Sequence, residues 1–129
     1  MERSCKGVAL DTNVLLTILD TKQNCVQEIR DVFGKKFEIV YPTQVKNELR
    51  VLGKENKQLE KKAKIAFEIL NWFGVLEKKI VARNADEALE KLAAQEWAIV
   101  TNDRELAKKI QEKSGKVWRL SRGRLLIDV

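Results

Sequence analysis

The sequence predicts an α/β domain in which a central, mainly parallel sheet is sandwiched between helices. Three observations carry this. Short apolar runs alternate with longer segments of helical period, the pattern of successive βα units. The six glycines are scattered, there is one proline, and no repeat or low-complexity linker divides the 129 residues. The chain is therefore read as one domain, residues 1–129. Apolar residues make up 44% and charged residues 34%, enough to build a core of this size without disulfide or metal staples.

Each element has its own justification. Gly7 to Leu10 is a short apolar run, read as a buried strand. It meets Asp11-Thr12-Asn13, three residue types favoured at helix N-termini, and Val14, Leu15, Leu16, Ile18 and Leu19 follow as a helix. Val26, Ile29, Val32 and Phe33 recur at helical spacing and stop at Gly34. Phe37 to Tyr41 is a second strand closed by Pro42; Thr43 is positioned to cap a helix carrying Val45, Glu48, Leu49 and Leu52 and ending at Gly53. A long charged helix runs from about Asn56 to Phe73, with Leu59, Ala63, Ala66, Phe67, Leu70 and Phe73 as its apolar stripe and Gly74 as its stop. Residues 75–81 fit no single period, and an edge strand suits them. Asn84 to Glu96 is helical, Trp97 to Thr101 a strand, and Asn102-Asp103 opens a helix with Leu106, Ala107 and Ile110 inward. Lys116 to Leu120 and Leu125 to Val129 read as two last strands.

Composition also excludes chemistry. The chain has no histidine. That removes Ser-His-Asp triads, Cys-His pairs, His-ligated zinc and any histidine acid or base. Cys5 and Cys25 form no CxxC and are read as reduced thiols of a cytoplasmic protein. No window approaches the ~18 apolar residues of a membrane span, and the start lacks the apolar run of a secretory signal. The net charge of +6 suits either a lysine-rich solvated surface or an acidic partner such as nucleic acid.

Four acids stand out by position. Asp11 and Asp103 both follow apolar strands, and in parallel α/β sheets the ligand crevice lies beyond the carboxyl ends of the strands. Glu48 lies in the helix after the second strand, and Asp86 in the first turn of another helix. Taken singly, each has a bland explanation. Asp and Asn cap helices and suit the helix dipole, and Asn102 with Glu105, like Asn84 with Glu87, has capping-box spacing. Glu48 alone reads as a solvated-face residue.

Taken in order, the four segments resemble the PIN domain (PilT N-terminus) ribonucleases. Val8-Ala9-Leu10-Asp11-Thr12-Asn13-Val14-Leu15-Leu16 is similar to that family's opening strand and first acid. Pro42-Thr43-Gln44-Val45-Lys46-Asn47-Glu48-Leu49, Asn84-Ala85-Asp86-Glu87-Ala88-Leu89 and Ala98-Ile99-Val100-Thr101-Asn102-Asp103-Arg104-Glu105-Leu106 resemble its later acidic segments. The resemblance implies a three-layer α/β/α sandwich with Asp11, Glu48, Asp86 and Asp103 as catalytic residues. Asp11, Asp86 and Asp103 would hold Mg²⁺ or Mn²⁺, with Glu48 binding a second ion or orienting water. Thr12, Asn13 and Asn102 would give polar support. Hard divalent ions do prefer carboxylate and water oxygens.

The implied activity is cleavage of single-stranded RNA. Small members of the VapC type are toxins held inactive by an antitoxin partner; other members trim ribosomal RNA precursors. Lys116, Arg119, Arg122 and Arg124 lie in a run without acids and are expected to contact RNA, with Trp118 placed to stack a base. Trp72 and Trp97 are read as core or interface, and the Trp72 end of its helix as a candidate homodimer surface. A catalytically silent RNA-binding module is the reading from a different class; a small-molecule phosphohydrolase lacks a glycine-rich phosphate loop.

Overall fold

A computed structural model describes residues 6–20, 25–34, 36–121 and 124–127. The chain runs β1 (Gly7–Leu10), α1 (Thr12–Asp20), α2 (Cys25–Phe33), β2 (Glu38–Pro42), α3 (Thr43–Lys54), α4 (Lys57–Trp72), β3 (Leu76–Lys78), α5 (Ala85–Ala94), β4 (Ala98–Val100), α6 (Arg104–Glu112), β5 (Val117–Ser121) and β6 (Arg124–Ile127). One sheet contains all six strands in the order β3-β2-β1-β4-β5-β6. The first five are mutually parallel and β6 closes the edge antiparallel to β5. The α/β architecture and mainly parallel sheet expected from the sequence are both present.

Side-chain alternation builds the three layers. Val8 and Leu10 of β1, Ile39 and Tyr41 of β2, and Ala98 and Val100 of β4 pack on one face, with Val14, Leu15, Ile29, Leu49 and Leu70 from α1 to α4. Ala9, Val40 and Ile99 point to the other face, with Leu89 and Leu92 of α5 and Leu106 and Ile110 of α6. Because both faces are covered, β1 and β4 are buried along their whole length, which explains their unbroken apolar runs.

The boundaries differ from expectation in instructive ways. Residues 75–81 do supply an edge strand, β3, parallel to β2. Gly34 and Gly74 follow helix ends with φ of 96° and 76°, the left-handed conformation that suits glycine. Gly53 instead lies inside α3: a Cβ there would meet the Glu60 Cα of α4 at 3.1 Å, so its hydrogen lets the two helices cross closely. Pro42, not Thr43, is the N-cap of α3 and makes no side-chain cap. The Thr43 hydroxyl donates to Glu77 Oε2 of β3 at 2.7 Å and is the leading reason the Glu77 carboxyl is held below its usual range. Cys5 lies outside the described residues, as does the side chain of Cys25. Among the described residues no helix is long and apolar enough to cross a membrane.

The packing and capping contributions separate by size. Ile99 is fully buried between α5 and α6, and Ile99→Ala is expected to cost about 2–5 kcal/mol. Asn56 caps α4 by accepting from the Gln58 and Leu59 amides, and Asn56→Ala should cost about 0.5–2 kcal/mol. Urea denaturation midpoints should rank wild type, Asn56→Ala, Ile99→Ala in descending order.

Candidate active site

The sheet order reverses direction between β1 and β4. From β1 the chain moves outward through β2 and β3, then returns to the other side of β1 for β4 and β5. The connections leaving β1 and β4 therefore part, and a crevice opens at their carboxyl ends. Leu10 pairs with Val100 at that end, and the Asp11 amide still donates to the Val100 carbonyl at 3.0 Å. Asp11 thus enters the crevice from one strand and the Thr101-Asn102-Asp103 segment from the other.

Asp11 is only 5% exposed. Its Oδ1 accepts from the Thr12 amide at 2.7 Å and its Oδ2 from the Thr101 hydroxyl at 2.6 Å. Thr101 in turn accepts from the Asp103 amide at 3.1 Å. One hydroxyl so ties two of the expected acids together. A carboxylate serving only as a cap bonds amides deeper in its helix; Asp11 bonds only the first and turns its other oxygen across the sheet. Thr101 is fully buried and was absent from the residues singled out by sequence. Its signal was a hydroxyl at the end of an apolar strand, directly before Asn-Asp.

Glu48 is not a plain solvated-face residue. Its Oε2 accepts from the Ala85 amide at 3.2 Å, at the start of α5, and its Oε1 from the Thr12 hydroxyl at 3.2 Å. It joins the helix after Asp11 to the helix bearing Asp86. Asn84 caps α5 through the Glu87 amide, so Asp86 is not needed there; it has no hydrogen-bond partner among the described residues. Asp103, not Asn102, caps α6: its Oδ1 accepts from the Glu105 and Leu106 amides. The capping explanation of Asp103 is therefore correct for one oxygen, while Oδ2 has no hydrogen-bond partner among the described residues.

Electrostatics shows that these carboxylates feel one another. Burial pushes the Asp11 carboxyl above its usual range, the Thr101 and Thr12 bonds oppose that, and the charges of Asp86 and Glu48 add to it. Burial also raises Asp86, with Asp103 the next cause and Lys109 opposing. As placed, no three Asp, Glu or Cys side chains among the described residues form a ready-made ligand cluster. The four acids form a shared field, not a closed cage. That still fits a hard divalent ion: the donors are carboxylate oxygens, and Mg²⁺ commonly takes one or two protein carboxylates and completes its shell with water and substrate phosphate.

The supporting residues divide. Thr12 touches Glu48, as above. Asn13 Oδ1 accepts from the Asn102 amide at a long 3.4 Å. Asn102 bonds Leu120 twice, its Nδ2 donating to the carbonyl at 3.1 Å and its Oδ1 accepting from the amide at 3.0 Å. Its side chain imitates one more residue of sheet pairing, linking the loop bearing Asp103 to β5. Of the expected RNA contacts, Lys116 lies exposed just before β5, at the end of the sheet away from the acids, and Arg119 is half-buried in β5. Arg124 opens β6, with its side chain outside what is described, and Arg122 lies outside the described residues. Trp118 packs edge-on against Phe33 with ring centroids 4.9 Å apart, so core packing takes up the ring assigned to base stacking. Trp97 is core, and Trp72 is 87% exposed.

Comparison with known proteins agrees with this geometry. A family described as "PIN like domain" matches residues 8–124. "Ribonuclease VapC4" of Methanocaldococcus jannaschii is 35% identical over 109 residues, covering 81% of this chain and 82% of that protein. Among solved structures, the PIN domain endonuclease Utp24 superposes with a TM-score of 0.75 at 18% identity, covering 95% of this chain and 90% of that one. A domain of a functionally unknown protein from Methanocaldococcus jannaschii gives 0.63 at 16% identity, covering 91% and 92%.

The raised acids make a signed prediction. A carboxyl whose folded pKa exceeds its unfolded value binds more protons when folded. Its stabilising contribution is full below the unfolded value, near 3.8, and is lost as pH rises through the folded one. In EDTA, Asp86→Asn should therefore gain thermal stability over wild type as pH rises from 4 to 7, and saturating Mg²⁺ should narrow the gap. Separately, Thr101→Val should raise the Asp11 pKa further in a carboxyl NMR titration, and Thr101→Ser should restore it.

Proposed function

The chain belongs to the family of PIN-like domains, and on that premise we propose that it is a Mg²⁺- or Mn²⁺-dependent endoribonuclease acting on single-stranded RNA, the toxin of a VapBC-type toxin–antitoxin pair. The observation that carries this is the hydroxyl-bridged pair Asp11–Thr101–Asp103, sharing a field with Asp86 and Glu48 at the point where the strand order reverses. Gathered like charges, with Asp11 and Asp86 pushed above their usual range and no salt bridge to any of the four among the described residues, are unfavourable in isolation and favourable around a divalent ion.

Asp11, Asp86 and Asp103 would hold Mg²⁺ or Mn²⁺. When bound, the ion supplies Lewis acidity to the phosphodiester and makes water nucleophilic at neutral pH, which a chain without histidine needs. The protein's own residues do the positioning. Thr101 opposes the effect of burial on the Asp11 carboxylate and orients it through the shared hydrogen bond. Asn102 fixes the loop that presents Asp103. Glu48, held by Thr12 and Ala85, would bind a second ion or orient water. Arg119, Arg122 and Arg124 are proposed to follow the RNA backbone; Lys116, at the opposite end of β5, would meet only a longer strand.

The toxin role draws its support from the ribonuclease relative, matched over most of both chains. An antitoxin protein as partner, a cytoplasmic setting and a homodimer through the exposed Trp72 end of α4 belong to the same reading. The test is incubation of single-stranded RNA with Mg²⁺, Mn²⁺ or EDTA. Wild type should cleave with either ion and not in EDTA, and Asp11→Asn and Asp86→Asn should each slow cleavage about 100-fold or more. RNA left intact with both ions would sink the nuclease reading. Expression in a bacterial host should arrest growth with wild type and not with Asp86→Asn; unchecked growth beside active cleavage would remove the toxin role alone.

A further inference from the structure

One face of α3 is left over by the fold and by the acid site. Gln44, Asn47, Glu48, Val51 and Leu52 recur at spacings of three and four, so they form one stripe. The opposite stripe, Val45, Leu49 and Gly53, is buried. Val51 is 62% and Leu52 49% exposed, among the few large apolar side chains that the fold leaves in water. Together with Arg83 across the gap, this stripe lines a cavity of about 380 Å³.

Glu48 belongs to both places. It stands in the cavity wall, and its carboxylate holds the Thr12 hydroxyl and the Ala85 amide, the residues next to Asp11 and Asp86. The cavity therefore adjoins the acid site. Its chemistry is a mixed one. The floor is aliphatic, and Gln44, Asn47 and Asn84 supply neutral amides. The one cation among the described lining residues is bonded to an acid, Arg83 Nε donating to Glu87 Oε2 at 2.6 Å. The Gln44 amide is locked, because its Nε2 donates to the carbonyls of Ile80 and Ala82 at 2.7 and 3.1 Å. That leaves its Oε1 a buried acceptor with no hydrogen-bond partner among the described residues. Asn47 is exposed and its amide has no hydrogen-bond partner among the described residues.

We propose that this cavity is a nucleobase pocket, taking the unpaired base of a nucleotide that flanks the scissile phosphate and so setting where the strand is cut. The proposal rests on the ribonuclease reading above. A phosphate is a poor occupant, since the nearby charges are Glu48 and an Arg83 already bonded to Glu87. A purely aliphatic group would leave the amides unmatched. A flat heterocycle matches both parts: its faces lie on Val51 and Leu52, and its donor and acceptor edge meets Asn47, whose amide can both give and receive hydrogen bonds. Single-stranded RNA presents its bases in this unstacked form.

Two measurements test it. In EDTA, where no RNA is cut, the four nucleoside 5′-monophosphates are titrated into isotope-labelled protein and followed by NMR. At least one base should shift the amides of Asn47, Val51 and Leu52 saturably, and Leu52→Asp should abolish those shifts. With Mg²⁺, cleavage of a randomised single-stranded RNA is mapped by sequencing the ends. Wild type should favour one base at a fixed position beside the cut, and Asn47→Ala and Leu52→Asp should flatten that preference at least about fivefold. The pocket is overturned if no monophosphate shifts these amides, or if both variants keep the wild-type preference. It is overturned likewise if Leu52→Asp alters only sedimentation, since the patch is then a contact between copies. RNA left uncut with base-specific shifts intact would fail the nuclease reading and keep the base pocket.

Discussion

The hydrogen bond between Thr101 and Asp11 is the interaction on which the rest of the site depends. It spans the crevice between β1 and β4 and joins a carboxylate that burial disfavours to the loop that presents the next acid. Burial alone disfavours the charged form of a carboxylate, and a hydroxyl donor opposes that. The sheet supplies the position, and the hydroxyl opposes part of the burial that disfavours the charge. Glu48 does the same on the outer side, where its two oxygens draw the starts of α1 and α5 toward one another.

The acids are concentrated while the chain as a whole is basic. The net charge of +6 averages over a carboxylate cluster in the crevice and lysine- and arginine-rich segments elsewhere. Two cores, one on each face of the sheet, hold the layers that carry these acids. Packing and charge are divided along the chain: the buried strands hold the layers together, and the segments that follow them carry the acids.

Most of the fold was legible because its signals are local. Buried parallel strands are short apolar runs, and helices show their period in Leu59, Ala63, Ala66 and Leu70. The four acids were legible as an ordered series, because Asp11, Asp86 and Asp103 stand at helix starts and Glu48 lies in the helix directly after β2. What could not be read were partnerships across the sequence. Thr101 looks like any strand-ending threonine until β4 is laid beside β1. Asn102 carries capping-box spacing, but Leu120 offers it two backbone partners and Asp103 takes the cap. Gly53 looked like a stop because a helical glycine near a loop usually is one; the nearby backbone of α4 is what requires it. Trp118 sits in a basic run that invites RNA, yet Phe33 lies close enough to claim its ring.

The Thr101–Asp11 bond closes a loop of 90 positions. During synthesis the first acid leaves the ribosome early, but β4 is the strand that must insert beside β1 before Asp11 gains its hydroxyl donor. Until nearly the whole domain has emerged, the opening segment is a strand without its central neighbour and a carboxylate without the others. A nascent chain that lacks β4 therefore carries no assembled crevice. Interleaving distant segments in the sheet gives the protein a built-in delay between the translation of its first acid and the existence of the site.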